Sequence, residues 1–264
     1  MTDTLNAPDR HAGRKSLNIP RGWRLPILLL ILWQVSSEFS LIDRRFLPPL
    51  QDIVAAGWKE LTEGDLLVHI AASLGRDIAG FVMGSIAGVA FGTLLGISKI
   101  ADRFIGPTFH GLKQIAVLAW IPIISVWFGF AESAKIAFVT LAAFLPVALN
   151  TIEGMQSISP QIIEVGRSLC FTRRQIFLRA RLPSALPSIM TGIHLALIYS
   201  WLATVGAEYF MAVGPGLGGL IISGREHFEM DVVMLGVLLL GLIGYSLNKI
   251  AETVEARLLR WRDG

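Results

Sequence analysis

The chain has 264 residues and a net charge of +3, and 53% of its residues are hydrophobic while only 16% are charged. This composition, with a mean hydropathy of +0.60, excludes an ordinary soluble domain and indicates a polytopic membrane protein. A helix that crosses about 30 Å of hydrocarbon needs roughly 20 apolar residues, so the length predicts a single all-α bundle. The lone cysteine, Cys170, excludes an internal disulfide.

Six apolar runs are long enough to be proposed as transmembrane helices. In chain order they cover residues 25–42, 78–97, 114–130, 136–152, 186–205 and 232–247. Residues 1–24 are predicted to be a flexible cytoplasmic N-terminus, residues 25–248 the membrane bundle, and residues 249–264 a cytoplasmic tail. No small-residue cleavage site follows the first run, so we expect it to remain as an anchor rather than to be removed as a signal peptide.

The positions of lysine and arginine predict the orientation of the bundle. With the N-terminus inside, 17 of the 23 Lys and Arg residues fall in cytoplasmic segments and six fall outside. Cytoplasmic loops of membrane proteins carry such an excess of positive charge, so both termini are expected in the cytoplasm. The same bias accounts for the pI of about 9.2, and no nucleic-acid partner is predicted from it.

A stripe of glycines marks the second apolar run. Its members recur at every fourth residue and are Gly80, Gly84, Gly88, Gly92 and Gly96. Because glycine has no side chain, the stripe allows another helix to approach closely and to gain dispersion and Cα–H···O contacts. The neighbouring helix belongs either to the same subunit, which is the interpretation we favour, or to a second subunit.

The segment 159–188, the arginine-rich loop, lies between the fourth and fifth apolar runs. Its arginines are Arg167, Arg173, Arg174, Arg179 and Arg181, and its one acid is Glu164. Ser159 before Pro160 is typical of a helix N-terminus, and Thr172 is a second N-cap candidate. Two short helices joined by a turn near Cys170 are therefore predicted. We expect this loop to dock a partner subunit in the cytoplasm; a loop that is merely solvated is the alternative.

Ionisable residues in or beside the apolar runs are candidates for a translocation pathway, because burying a charge in a membrane is costly. His194 lies inside the fifth run and either faces the pathway or bonds a neighbouring carbonyl. Glu208 and Tyr209, at the end of that run, either line an external gate or form a salt bridge at the rim. Arg76 either attracts an anion or pairs with the adjacent Asp77.

Sequence motifs for catalysis and nucleotide binding are missing. The chain contains no G-x-x-x-x-G-K-[ST], H-E-x-x-H or G-x-S-x-G pattern, and its five histidines are scattered. We therefore predict that the chain is not an enzyme, holds no cofactor or metal, and takes its energy from another protein. Gly214, Gly216, Gly218 and Gly219 lack the preceding strand of a phosphate site and are predicted to form a flexible external turn.

Four further segments carry a resemblance to a known family. They are SLGRDIAGF at 73–81, LAWIPIISVWFGFAESAKI at 118–136, LPSALPSIMTGI at 182–193 and GAEYF at 206–210. Together with the glycine stripe, they make the chain similar to the permease subunits of binding-protein-dependent ABC importers, in the branch for aliphatic sulfonates, taurine and nitrate. The resemblance implies a type I importer permease fold with about six transmembrane helices.

The arginine-rich loop resembles the cytoplasmic coupling loop of that family, on which the ATPase subunit docks. Glu164 takes the place of the signature glutamate, and Leu182 with Pro183 take the closing Leu-Pro. Cys170 stands where the family has a chain-bending glycine, and Ala180 stands where it has isoleucine. The coupling residues implied by the resemblance are Glu164, Gly166, Arg167, Cys170, Arg173, Arg174, Leu182 and Pro183.

The resemblance also implies a function and a set of partners. The chain is expected to move a small, anionic, sulfonate-like solute across the bacterial plasma (inner) membrane. An external substrate-binding protein delivers the solute, a cytoplasmic ABC ATPase supplies the energy, and a second copy completes a homodimer in the lipid bilayer. Nitrate, taurine or another small metabolite is the alternative solute. A stand-alone channel or secondary transporter is the alternative class, although the chain lacks matching hydropathic halves.

Overall fold

The computed structural model describes residues 24–39, 41–43, 45–211 and 213–258. The predicted N-terminal segment, apart from Arg24, and the end of the predicted tail lie outside these residues. Across the described ranges the regular structure is helical and contains no β-strand, which confirms the all-α prediction. The α-helices are α1 (Arg24–Glu38), α2 (Leu50–Thr62), α3 (Leu66–Ile97), α4 (Lys99–Leu112), α5 (Ile121–Phe128), α6 (Glu132–Gln156), α7 (Pro160–Ser168), α8 (Arg173–Ile176), α9 (Leu182–Phe210), α10 (Leu217–Glu226) and α11 (Met230–Leu258).

The chain divides into two compact units, Met1–Leu50 and Gln51–Gly264. In the first unit, side chains of α1 hold the stretch that follows that helix. The Trp33 indole donates to the Pro48 carbonyl and the Ser37 hydroxyl donates to the Leu47 carbonyl, each over 2.9 Å. These bonds satisfy carbonyl groups that lie outside any helix and would otherwise need water or another donor.

In the second unit, the glycine stripe of α3 packs against α6 of the same chain. Gly80 lies against Val139 and Gly96 lies against Met155, so the two helices run parallel. A methyl group placed on any of the five stripe glycines would come within 2.5–2.7 Å of an atom of α6, which is closer than side-chain carbons approach. The stripe therefore brings two backbones together, the packing that stabilises helix pairs in lipid.

Helix α9 completes the core of this unit and runs antiparallel to α6. Gly154, near the end of α6, packs on Ala185 at the start of α9, while Gly192 packs on Pro146 nearer the α6 centre. Helix α11 packs on α9 and α10. We call the end at which α3 and α6 begin the Arg76 end, and the opposite end, which carries the arginine-rich loop, the loop end.

Four described helices are long and apolar enough to cross a membrane, and each contains one predicted run. They are Leu66–Ile97, Glu132–Gln156, Arg173–Phe210 and Met230–Arg257. The first predicted run, 25–42, overlaps α1, whose 15 residues are fewer than the roughly 20 that a crossing needs. Helix α11 continues to Leu258, beyond the predicted boundary between the bundle and the tail.

The third predicted run, 114–130, is not a straight crossing by itself, because its helical part, a 3-10 turn Val117–Trp120 followed by α5, has only 12 residues. Helix α4 ends before it, and the helical pair Val117–Phe128 is bent by 96° from α4, so the two make a fifth crossing only when they are taken as one broken span. Pro122 lies in the first turn of α5, where its fixed φ favours the start of a new helix.

Helix α4 packs against the loop-end half of the core. Phe109 of α4 packs on Phe144 of α6, with ring centroids 6.2 Å apart. It belongs to the same hydrophobic cluster as Leu95 of α3 and Ile152 of α6. Lys113 follows one turn later, at the C-terminal end of α4.

Candidate functional site

The first half of the arginine-rich loop is α7, Pro160–Ser168, and it ends in a Schellman turn. The Phe171 amide bonds the Gly166 carbonyl and the Cys170 amide bonds the Arg167 carbonyl, each over 2.9 Å. Cys170 adopts a φ of +56°, the left-handed conformation that glycine reaches without strain. The chain therefore makes the turn that the family pattern assigns to glycine, with a cysteine in its place.

Both predicted N-cap residues stand directly before their helices, but only the Thr172 side chain makes a capping bond. Ser159 precedes α7 and Pro160 occupies the first turn of that helix. Thr172 caps the second helical segment through a capping box: its hydroxyl accepts the Gln175 amide over 3.3 Å, and the Gln175 side chain accepts the Thr172 amide over 2.8 Å. The short turn between the two segments is thus fixed at both of its ends.

The second half of the loop is not the separate short helix that the sequence predicts. Helix α8, a π-helical segment Phe177–Arg181 and α9 form one continuous helix of 38 residues, Arg173–Phe210. The Leu182 amide reaches back to the Phe177 carbonyl and widens the turn. Because Pro183 has no N–H and its ring would clash with a carbonyl of a regular α-turn, the wider turn keeps the helix continuous.

The surface of the loop is basic. Arg167, Arg173 and Arg174 are exposed, as is Glu164. Within the described residues, none of these arginines forms an ion pair. Because these arginines are exposed and form no ion pair within the described residues, they can bind a partner of opposite charge.

An apolar face accompanies this positive charge on α7. Ile162, Val165 and Leu169 are spaced by three and four residues, so they share one face of the helix. They are 48%, 60% and 62% exposed. Gly166, in the same helix, is buried, and a methyl group placed on it would lie 3.4 Å from Ile176, an ordinary contact that leaves little room for a larger side chain.

Charged side chains from three helices meet in the interior at the Arg76 end. We call this group the Arg76 cluster; its members are Arg76 from α3, Glu132 and Lys135 from α6, and Glu208 from α9. Arg76, Lys135 and Glu208 are only 4%, 1% and 2% exposed. The Arg76 guanidinium donates to Glu208 over 2.5 Å and to Glu132 over 2.7 Å. Two positive and two negative charges balance, with three of the four side chains buried and Glu132 53% exposed at the rim.

The Arg76 cluster also binds the glycine-rich segment between α9 and α10. The Arg76 guanidinium donates to the Pro215 carbonyl, and the Lys135 ammonium donates to the Val213 carbonyl. Where the sequence predicts a flexible turn, the structure therefore has a segment whose carbonyls are held by buried cations. These carbonyls also supply acceptors for the N–H groups of the cations, which have lost their bonds to water.

Two polar residues of α3 extend this network. The Ser73 hydroxyl donates to Glu208 over 2.7 Å and accepts the Leu217 amide over 2.9 Å. The Nδ1 atom of His69 lies 2.8 Å from the Gly216 nitrogen and 2.9 Å from its carbonyl oxygen. The start of α10 is therefore bonded to α3 as well as to α9.

Two glycines of this segment occupy positions where a side chain would collide with Glu208. The Gly218 amide donates to Glu208 over 2.8 Å. A methyl group on Gly216 would lie 2.6 Å from the Glu208 carboxyl carbon, and one on Gly218 would lie 2.6 Å from the Glu208 Cβ. Small residues are needed here because the backbone approaches a buried carboxylate.

The predicted pathway residues are thus brought together only in part. Arg76 pairs with Glu208 and not with the adjacent Asp77, whose carboxylate accepts a bond from Thr204 over 3.4 Å. Tyr209 lies at the surface, with its hydroxyl bonded to Arg225.

His194 lies apart from the Arg76 cluster. Its ring nitrogens are 2.8 Å from Glu255 and 2.9 Å from Asn248, so it links α9 to α11. It also lines an apolar cavity of about 230 Å³ between these helices and Phe81 of α3. Within the described residues, no group of three or more His, Cys, Asp or Glu side chains is placed to hold a metal.

Sequence reasoning missed four members of this site. They are Glu132 and Lys135 of the Arg76 cluster, together with His69 and Ser73. The signal was present, since the two α6 charges of opposite sign directly precede the fourth apolar run. A charge at the edge of an apolar run is ordinary on its own, and only the tertiary packing shows that these residues meet Arg76.

The chain matches a family described as the binding-protein-dependent transport system inner membrane component over residues 80–262. Three relatives are similar over most of their length. The putative aliphatic sulfonates transport permease protein SsuC of Bacillus subtilis is 32% identical, with 95% of this chain and 91% of the relative covered. The taurine transport system permease protein TauC of Escherichia coli is 31% identical, with 90% and 87% covered. The nitrate import permease protein NrtB of Leptolyngbya laminosa is 34% identical, with 75% and 71% covered.

Solved structures share the fold. The MetNI methionine ABC transporter, in an inward-facing conformation, has a TM-score of 0.60 at 21% identity, with 75% of this chain and 98% of that chain covered. An amino acid ABC transporter crystallised with histidines has a TM-score of 0.59 at 16% identity, with 72% and 92% covered. The chain therefore belongs to the inner membrane components of binding-protein-dependent transport systems, the non-catalytic permease subunits of ABC importers, which work with an ATPase and a substrate-binding protein.

Proposed function

We propose that this permease carries a small anionic solute with a sulfonate-like group, and that its ATPase docks on the arginine-rich loop. The observation that carries the proposal is the continuous helix Arg173–Phe210, which begins in the exposed loop and ends beside the Arg76 cluster. At about 1.5 Å per residue, this helix is about 57 Å long. One element therefore connects the docking surface with the opposite end of the bundle.

The docking surface is α7 together with the start of α8. The exposed face formed by Ile162, Val165 and Leu169 fits an apolar groove, which is how amphipathic helices bind many partners. Arg173 and Arg174 flank it and call for an acidic rim on the ATPase. Arginine suits an acidic rim because its guanidinium group forms paired, directional hydrogen bonds with carboxylates.

Motion of the docked ATPase passes to the bundle through the turn at Cys170. Because α8 is continuous with α9, displacement of α7 turns the whole of α9 rather than a loop. The π-helical segment and Pro187 are the points at which this helix bends most easily. At its far end, Glu208 holds the Gly218 amide, so movement of α9 reaches the segment that faces the external binding protein.

The orientation and the oligomer follow from charge and size. The segments predicted to be cytoplasmic contain 17 of the 23 Lys and Arg residues, and the other six were counted outside. This bias supports a cytoplasmic loop end and cytoplasmic termini. Four or five crossings in the described residues are too few to surround a pathway, which supports a homodimer with the pathway between the copies.

An anionic solute is supported by the relatives and by one side chain. Aliphatic sulfonates, taurine and nitrate, for which the relatives are named, all bear negative charge delocalised over oxygen atoms. Lys113 brings a positive charge to the bend between α4 and the helical segment Val117–Phe128. Nitrate, taurine and other small metabolites remain alternatives to an alkanesulfonate.

Reconstitution of the complete importer tests the proposal. The permease, its ATPase and its binding protein are placed in liposomes, and uptake of a labelled alkanesulfonate is followed. We expect uptake to require both ATP and the binding protein, and to be inhibited by unlabelled sulfonates but not by organic cations. Uptake by the permease alone would contradict the proposal and indicate a channel or a secondary transporter.

The variant Glu164→Lys tests the docking role of the loop. We expect it to insert and fold normally, since Glu164 is exposed, but to lose most ATP-driven uptake and co-purify poorly with the ATPase. Glu63→Lys is the matched control, because Glu63 is also an exposed acid but precedes α3 at the Arg76 end. Equal uptake by both variants would count against docking at this loop.

A further inference from the structure

A second site lies at the loop end, between the α3–α4 corner and the arginine-rich loop. Here a cavity of about 450 Å³ is lined by three cations, Lys99 and Arg103 of α4 and Arg181 of the π-helical segment. The lining contains one carboxylate, that of Asp102, and apolar walls that include Ile163 of α7. A cavity of this size with a net charge of +2 has the room and the charge for a group that carries a phosphate.

Helix α4 supplies both charge and apolar surface beside this cavity. Lys99 and Arg103 are four residues apart and therefore lie on one face. Ile100 and Phe104 follow them directly on the next face and are 72% and 81% exposed. A basic face beside an exposed apolar face is the pattern of helices that lie at a membrane interface.

We propose that the cavity binds a phosphate group, supplied by the headgroup of an anionic phospholipid whose acyl chains lie along Ile100 and Phe104. Basic pockets between membrane helices on the cytoplasmic side bind such headgroups. Free phosphate shares the charge chemistry but makes no use of the apolar face. The assignment to the cytoplasmic leaflet rests on the orientation given in the proposed function.

The position of the cavity gives the bound group a mechanical role. Arg181 and Ile163 belong to the arginine-rich loop, whereas Lys99 and Arg103 belong to the α3–α4 corner. A phosphate that contacts both sides joins the loop to the bundle and stabilises the arrangement seen in the structure, in which the two sides lie close together.

The test uses the intact permease in nanodiscs that contain either phosphatidylcholine alone or phosphatidylcholine with phosphatidylglycerol. Native mass spectrometry measures retained lipid, and binding of labelled inorganic phosphate is measured in parallel. The test variant is Lys99→Gln/Arg103→Gln/Arg181→Gln. Lys249→Gln/Arg257→Gln is the control, since it removes exposed cations at the same end but outside the cavity.

We expect phosphatidylglycerol to be retained by the wild-type protein and by the control, and retention by the test variant to fall about tenfold or more. If the triple variant does not fold, Arg103→Glu alone is tested instead, and it is also expected to lower the retention of phosphatidylglycerol. Loss of phosphate binding with no lipid retained would support the anion site and assign it to free phosphate. Equal retention by all proteins, or none by the wild type in either assay, would overturn the site. Uptake by the wild-type importer is scored separately, so lipid binding without uptake would refute the proposed function and leave this site standing.

Discussion

At the Arg76 end, Arg76 and Lys135 are 4% and 1% exposed and each lies within 4 Å of a carboxylate. At the loop end, the arginines of α7 and α8 are exposed, and none of them pairs with a carboxylate in the part of the chain that the structure describes. The first group is complete within one chain. The second has the charge and the apolar surface of an interface whose other half is a separate protein.

This contrast separates two uses of arginine in one bundle. A buried arginine is tolerable only with its charge matched and its donors satisfied, so Arg76 depends on the geometry of its neighbours. An exposed arginine costs little to leave in water, and it contributes when an acidic partner arrives. Substitution at the Arg76 end is therefore expected to affect folding, and substitution at the loop end to affect coupling.

The largest expected effect is on Arg76→Met. This change leaves Glu208 buried without its cation, which costs about 3–5 kcal/mol for a buried pair that loses one member. We expect a large fall in the midpoint of thermal aggregation in detergent, measured by size-exclusion chromatography. The double variant Arg76→Met/Glu208→Gln is expected to recover part of the loss, because no unpaired charge remains.

Lys249→Met is the control for this comparison, since it breaks the Lys249–Glu252 pair, whose side chains are 63% and 45% exposed. We expect no measurable change in its thermal midpoint. If Arg76→Met were as stable as Lys249→Met, the distinction between the two ends would be lost.

A smaller loss is expected for Gly84→Ala in the glycine stripe. The added methyl group would lie 2.5 Å from the Thr140 carbonyl oxygen, a backbone atom that cannot move without displacing α6. Overpacking of this kind costs about 1–3 kcal/mol. Gly75→Ala, in the same helix with nothing within 4 Å of the new group, is expected to leave stability unchanged or slightly raised. The thermal midpoint is measured for both variants. Equal midpoints would refute close packing of α3 on α6.

The smallest effect is a gain, expected for Cys170→Gly. Glycine adopts the positive φ of this turn without the penalty of about 1 kcal/mol that a side chain brings. The thermal midpoint should rise by about 2–4 °C if the turn unfolds together with the bundle. Cys170→Ala keeps a Cβ and should show no gain; a rise as large in this variant would mean that strain at φ is not the cause.

Hydropathy was sufficient to predict four of the spans, because a helix that crosses a membrane must consist of a long run of mainly apolar residues. It failed at 114–130, since hydropathy shows no sign of the 96° bend that separates α4 from the helical segment Val117–Phe128. The arginine-rich loop was predicted from its composition and caps. Its continuity with α9 was not, because Pro183 signals a break and the widened π turn that accommodates it has no sequence signature.

The Arg76 cluster shows the other limit of sequence reasoning. Arg76 and Glu208 were each predicted as pathway residues on the ground that buried charge is costly. They are 132 residues apart in the chain, and nothing local indicates that they meet. The pairing depends on the antiparallel packing of α9 against α3 and α6, so it became visible only in three dimensions.

The central claim, that the loop end is a cytoplasmic surface which an ATPase covers, is tested most directly with Cys170, the single cysteine of the chain, which is exposed. A membrane-impermeant maleimide is applied to right-side-out and inside-out vesicles, with and without the bound ATPase. The account predicts labelling only in inside-out vesicles and protection when the ATPase is bound. Labelling from the outside, or equal labelling with and without the ATPase, would contradict it.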